Sequence, residues 1–484
     1  MTQMVDITRN DLFLLGLEFN CPFRLTLSDH SVLHCDQIVR IIPRKRLVSF
    51  GTWNSKPIVA KLFYSLRAKE HFEQELKGVQ CLSKNNVPTP ALYFQDTTLD
   101  KRIYILIFER IFNAESAELL LREGEFIHRQ DSIVIHLITE LATQHALGIL
   151  QNDLHLKNFL VHSAGVYSID GGEIKTYTHP LSKKESIYSL TLLLSQLGVL
   201  LDDKQERFFK YYAKLRGWIV KEEDVRTILQ MIQQWRQSRW KRYQKKIFRC
   251  CTQFVRFKQK YLSGMFDRSY ESPDFHKFLS NPDSFFSHPD TVIIKAGNSA
   301  TVANIRLGNK RYILKRYNIK NFWHALRRCM RHTRARQSWY FAQKLQFFWI
   351  ATAGPVAYLE KRFLGLTGRS YFLTEHVQAT PGEIFFSQKQ FNEEHWNIVT
   401  ERIVTMLLQL ARLKMTHGDL KITNIFINMY YQPLFIDLDG MCVHLTKFTL
   451  KKALSQDMQR LLANFHTNPF LYEECSIYMN ALKI

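Results

Sequence analysis

The stretch MTHGDLKITNIFIN, residues 415–428, followed by PLFIDLDG, residues 433–440, decides the reading of this chain. It sets Asp419 five residues ahead of Asn424 and brings Asp437, flanked by apolar residues, after one short hairpin. The same set occurs earlier: GILQNDLHLKNFLV (148–161) and VYSIDGG (166–172) supply Asp153, Asn158 and Asp170. Each set lies well downstream of a lysine in a strand-like run, Lys61 in PIVAKLF and Lys315 in YILKRYN. A single D-x4-N is an ordinary Asx turn between helix and strand. Two of them, in the same order with lysine, helix and exit strand in register, mark a duplicated phosphotransfer constellation.

Moving a γ-phosphoryl group from ATP is mostly positioning and charge neutralisation. Mg²⁺ takes hard oxygen ligands and keeps part of its water, so Asn158 with Asp170, and Asn424 with Asp437, are the expected metal ligands. Asp153 and Asp419 are the expected catalytic bases beside the acceptor hydroxyl. Lys61 and Lys315 are expected to grip phosphate oxygens, with Glu75 on the following helix steadying Lys61 and Glu73 as its alternative. The loop AGNSATV offers Gly297, Asn298, Ser299 and Thr301 to the phosphates through backbone N–H groups and hydroxyls. Asp439 reads equally as a second metal ligand or as a hydrogen-bonding loop residue.

The halves are unequal. No acidic residue lies between Asp290 and Glu360, so Lys315 has no helix glutamate to hold it. Arg334 and Arg336 stand where that acid would be sought, among Arg327, Arg328 and Arg331. In the first half the lysine–glutamate pair is present, but Gly51 is the only glycine of its hairpin, Gly51-Thr52-Trp53-Asn54. Gln151-Asn152 precedes Asp153, where the second half has His417-Gly418 before Asp419.

Around these motifs the expected organisation is a first domain over 1–235, a basic helical linker over 236–285 and a second domain over 286–484. Residues 33–63 read as a small antiparallel sheet, RAKEHFEQELKGVQCLSKNN (67–86) as a helix and RIYILIFERI (102–111) as the strand leading out. Residues 292–318 read as three β-runs, and RSYFLTEHV (369–377) as the second exit strand. The segment Trp235–Lys260 is dense in Lys and Arg with interleaved aromatics. It reads either as a solvated helix or as a basic face for a membrane surface or polyanion.

The chain has 484 residues, 46% of them apolar, and a formal charge of +22. That composition is globular, and the charge points to an anionic partner without choosing one. Nucleic acid is disfavoured by the lack of any RRM, KH or zinc-finger pattern. Eight cysteines without a CxxC pair suggest a reducing compartment. The N-terminus does not read as an export signal, and the longest apolar run, Ser189–Leu201, is too short to span a bilayer.

AGNSATV, YILKRYNIKNFWHALRR, RARQSW, RSYFLTEHV, THGDLKITN and FIDLDGM, with NNVPTP, QNDLHLKNFLV and YSIDGG in the first half, resemble the bacterial lipopolysaccharide core kinases. The resemblance to this Kdo/heptose kinase family implies an α+β fold of two tandem protein-kinase-like domains, each a small antiparallel β lobe plus a helical lobe. It further implies ATP- and Mg²⁺-dependent phosphorylation of a heptose or Kdo hydroxyl of the inner core. The implied partners are lipid A-linked core oligosaccharide and the anionic inner leaflet, met from the cytoplasm. Two alternatives stand beside it: a pseudokinase scaffold for core biosynthesis, and a kinase of proteins or small molecules.

Overall fold

The structure, a computed structural model, describes residues 5–14, 22–122, 127–318, 332–363, 366–388, 391–463, 472–473 and 476. Arg327, Arg328 and Arg331 lie outside them. The chain forms two compact units, Met1–Arg236 and Gln237–Ile484. Both are mixtures of sheet and helix, as expected of an α+β protein.

The first unit is built around a seven-stranded sheet, antiparallel except for the edge pair Val5–Asp6 with Phe23–Thr26. The strand Lys56–Phe63 shows how it is held. Ile58, Ala60 and Leu62, all fully buried, point into one core with Leu12, Leu33, Leu47 and Ile105. Val59, Lys61 and Phe63 alternate onto the other face, as the period of two requires. There Phe63 packs with Phe72 and Val79 of the helix Ala68–Lys84 and with Leu106 and Phe108 of the strand Tyr104–Glu109. Burying the hydrophobic stripe of that helix is what brings Glu75 beneath Lys61. The helices Ile127–Ala146, Lys183–Leu194 and Gln205–Leu215 follow, interrupted by two short sheets that carry the Asp153–Asp170 loop region.

The second unit repeats the order. Its seven-stranded sheet includes Val292–Ala296, Ala300–Leu307, Lys310–Tyr317 and the pair Pro355–Phe363 and Leu366–Glu375. Tyr312 and Leu314 face a core closed by Phe275, Phe278 and Leu279 of the helix Pro273–Ser280, which leaves Ile313, Lys315 and Tyr317 on the opposite face. The helix Arg334–Phe347 packs there, capped by the Thr333 hydroxyl.

Two expectations change. The stretch 236–285 is not a helical linker. The helix Glu222–Lys246 ends inside it, and the strands Phe254–Lys258 and Leu262–Asp267 then join the second sheet beside Pro355–Phe363. Alternation in FVRFK, with Val255 and Phe257 packed on the core and Arg256 and Lys258 exposed, makes an edge strand out of what its basic density disguised as helix. Its aromatics are not free for a membrane either: Trp235 meets Tyr188 edge-on at 4.9 Å, and the buried Trp240 packs with Tyr340, Phe347 and Phe348.

The second change concerns the first hairpin. Gly51 lies within the strand Arg46–Trp53, and the turn is Asn54–Ser55, both residues at positive φ. Counting back from each lysine strand, the counterpart of the loop at 297–299 is the turn Pro43-Arg44-Lys45, between Val32–Ile42 and Arg46–Trp53.

Candidate functional site

In the first unit, Lys61 and Glu75 form a buried hydrogen-bonded ion pair. Lys61 Nζ also donates to the Ile169 carbonyl at 3.0 Å and lies 3.9 Å from Asp170. Glu73 is exposed and pairs with Lys69, so the partner of Lys61 is Glu75. The helix can reach that close because Gly78 lies directly on Gly171; a Cβ there would stand 2.0 Å from the Gly171 carbonyl oxygen. Gly171 N–H in turn donates to Glu75 at 3.1 Å. Burial pushes the Glu75 carboxyl up, opposed by Lys61 and reinforced by Asp170. Burial also raises Asp170, but Lys61, Glu75 and Arg46 outweigh it and hold that carboxyl below the usual range.

Asn158 donates its side-chain N–H to the Asp153 carbonyl at 2.9 Å, and its own carbonyl accepts from Ile169 N–H at 3.0 Å. Asp153, Asn158 and Asp170 line one cavity of about 140 Å³ with Glu75 and Arg46. Behind them, Gln151 reaches Gln144 at 2.8 Å, and Gln144 donates to Glu140 and Ser168.

The second unit has the same loop geometry. Asn424 donates to the Asp419 carbonyl at 2.8 Å and accepts from Ile436 N–H at 3.0 Å. Asp437 sits in the left-handed region, φ 59° and ψ 57°, a conformation that costs a non-glycine residue energy and turns its carboxylate to Lys315, which it bonds directly. Asp439 lies 3.9 Å from the same ammonium and forms an ion pair with Arg334, the first residue of its helix. The question of what clamps Lys315 is thereby answered: the loop carboxylates do. Burial raises the Asp437 carboxyl, but the charge and hydrogen bond of Lys315 hold it low; Asp439 is raised by burial and by the neighbouring Asp437 charge, against Lys315 and Arg334.

The loop before Asp419 is fixed by residues outside the D-x4-N motif. The buried Asp457, on the helix Lys447–Leu462, accepts His417 N–H at 2.8 Å and Gly418 N–H at 2.9 Å. His417 Nε2–H donates to the Ile436 carbonyl at 3.0 Å, tying that loop to Asp437. Gly418, at φ +80°, has the Gly440 carbonyl oxygen 2.1 Å from where a Cβ would be. An acid on the stripe Leu454, Asp457, Met458, Leu461 was the available signal for Asp457, because a carboxylate among core positions must have partners.

The AGNSATV loop is a hairpin turn, with Gly297 N–H spent on the Ala300 carbonyl at 3.0 Å. Thr301 pairs across the sheet with Arg316, on the face opposite Lys315. Its hydroxyl is engaged by Arg316 and Asn318, so as a phosphate contact it is corrected. Asn298 and Ser299 remain exposed at the tip.

Among the described residues no group of three or more His, Cys, Asp and Glu is gathered for a metal. What each loop offers is one amide oxygen and one carboxylate, because the Asn Nδ2 is already committed to the Asp carbonyl. A sparse all-oxygen set completed by phosphates and water suits Mg²⁺. No described helix is long and apolar enough to cross a membrane.

Residues 295–478 match the sequence model of the Lipopolysaccharide kinase (Kdo/WaaP) family. That segment lies in the second unit and contains Lys315, Asp419, Asn424, Asp437 and Asp457, and over it the resemblance read from the sequence holds. No curated protein matches the chain.

Proposed function

With a lipopolysaccharide kinase family as the premise for residues 295–478, we propose that the chain transfers the γ-phosphoryl group of ATP to a heptose or Kdo hydroxyl of the lipopolysaccharide inner core. Its two units are tandem protein-kinase-like domains, and the second carries the transfer. The observation that supports this most is the convergence of Lys315 from the strand Lys310–Tyr317, Asp419 and Asn424 from one loop, and Asp437 from the loop that follows the next hairpin. Asp419 stands as the base: its side chain is half exposed and kept in place by Lys421 at 2.9 Å, open to an acceptor hydroxyl whose proton it takes. Lys315 is the phosphate grip. Asn424 and Asp437 would hold Mg²⁺, which when bound neutralises charge on the transferring phosphoryl group. The same loop geometry at Asp153, Asn158 and Asp170 supports a common origin for the first unit. A net charge of +22 suits an enzyme that docks from the cytoplasm on the anionic inner leaflet, where its lipid-anchored acceptor resides.

The test is phosphate on the core glycan, read by mass spectrometry from cells whose chromosomal copy is replaced by Asp419→Ala, Asp153→Ala or both. Loss of core phosphate in Asp419→Ala is expected. Unchanged phosphate in the double variant would overturn the reading.

A further inference from the structure

The first unit places a basic turn where the second places a small-residue one. Pro43-Arg44-Lys45 leads into Arg46, the first residue of its strand, and the turn is fastened to the end of the Lys61 strand by Tyr64 N–H on the Lys45 carbonyl, 3.2 Å. Lys45 and Arg46 line the cavity of about 140 Å³ together with Asn158 and the carboxylates of Glu75, Asp153, Asp170 and Glu173.

Arg46 is the unusual member. Its guanidinium lies 4.0 Å from Glu75 and 3.9 Å from Asp170, near enough for charge balance and too far for a hydrogen bond. Its Nε is buried without a partner, and so is the Glu75 Oε2 it faces. A planar fork is thus held at the cavity with its Nε unpartnered and its two terminal nitrogens beyond hydrogen-bond reach of the carboxylates they face. Buried N–H groups ordinarily find partners, and a guanidinium fork matches the oxygens of a phosphoryl group.

We infer that the first cleft binds a phosphoryl group through the side chains of Arg46 and Lys45, in place of the backbone cradle of a glycine-rich loop. The ligand class is a phosphate ester or polyphosphate. A nucleotide and a phosphorylated sugar both present that chemistry. Binding at this site does not require that Asp153 transfer anything, so it stands apart from the proposed reaction of the second unit.

The test uses the full chain carrying Lys315→Ala, which removes the phosphate grip of the second site, and titrates it calorimetrically with tripolyphosphate, ATP and mannose 6-phosphate, each with and without Mg²⁺. At least one probe is expected to bind. Arg46→Gln should weaken that binding about tenfold or more, and Lys45→Gln, whose ammonium is exposed, by less. Binding of ATP and tripolyphosphate identifies a nucleotide as the source; binding of the sugar phosphate alone identifies a phosphorylated acceptor or product. Arg46→Lys keeps the charge and loses the fork, so it is read as well should Arg46→Gln fail to fold; its affinity should fall at least threefold. No binding by any probe, or affinity within twofold of the parent in the folded Arg46 variants, overturns the inference. Loss of core phosphorylation in Asp419→Ala tests the other reading and leaves this result untouched.

Discussion

Asp457→Ala should be the most damaging single change to the second unit outside its reacting groups. One carboxylate oxygen, Oδ2, accepts both His417 N–H and Gly418 N–H, and the other accepts from Arg460 at 3.1 Å. Asp457 is 3% exposed and His417 is fully buried, so water does not replace the acceptor that the His417 N–H loses, whereas Gly418 is exposed. The stranded His417 amide costs roughly 1–3 kcal/mol, and the exposed Gly418 amide adds little. Arg460 is 41% exposed, and its ion pair adds little. Asp457→Asn is the informative contrast. Both amide bonds end on one oxygen, which an asparagine carbonyl can supply, so the cost should drop to about 1 kcal/mol, the difference between a charged and a neutral acceptor. These amides precede Asp419 directly, and a small displacement of a base costs about 100-fold in rate. Asp457→Ala should therefore lose about that factor in kcat, and Asp457→Asn less than tenfold. The assay pairs urea unfolding of the second unit with phosphate transfer. Equal behaviour of Ala and Asn, or an Ala cost below about 1 kcal/mol, would refute the argument.

Gly78→Ala tests the close approach in the first unit. On an exposed helix it would stabilise by about 1 kcal/mol, but here the new Cβ meets backbone at 2.0 Å, so a net loss of at least ~2 kcal/mol and release of Glu75 from Lys61 are expected by thermal melting. His145, buried between Tyr212 at 2.6 Å and Ser189 at 3.1 Å, is pushed down to about 3 by burial, with the Arg216 charge adding. Its unfolded value is 6.5, so the unfolded chain binds the extra proton and stability falls as pH drops from about 6.5 towards 3, by up to about 1.4 kcal/mol per unit. Chemical denaturation of His145→Gln across that range should lose that part of the slope; an unchanged slope refutes it.

What was legible in the sequence were features that a local rule fixes. The D-x4-N loops are closed by Asn side chains on the Asp carbonyls, a contact within five residues, and Lys61 with Glu75 follows from strand and helix periods. Asp457 and the strands at 254–267 were missed because their partners are distant, His417 in one case and the strand Pro355–Phe363 in the other. The hairpin of the first unit that corresponds to the loop at 297–299 was misplaced because its turn, Pro43-Arg44-Lys45, holds no glycine.

The missing helix glutamate of the second unit is best understood as an exchange of positions. The ion-paired group of the first cleft has two cations and two acids: Lys61 and Arg46 against Glu75 and Asp170. The second holds the same balance, Lys315 and Arg334 against Asp437 and Asp439. Two residues past the shared aspartate, the first unit has Gly172 and the second Asp439. A Cβ at Gly172 would come to 3.0 Å from Glu75 Oε2, so a carboxylate at that position and a glutamate on the helix compete for the same space. Where the helix supplies the acid, the loop must be glycine and the cation comes from the hairpin; where the loop supplies the acid, the helix is free to supply the cation. Burying one more charge of either sign in such a cleft without its counterpart costs several kcal/mol, which ties the three substitutions together. The absence of a glutamate near Lys315 is therefore compensated within its own cleft, and it does not argue against a working second site.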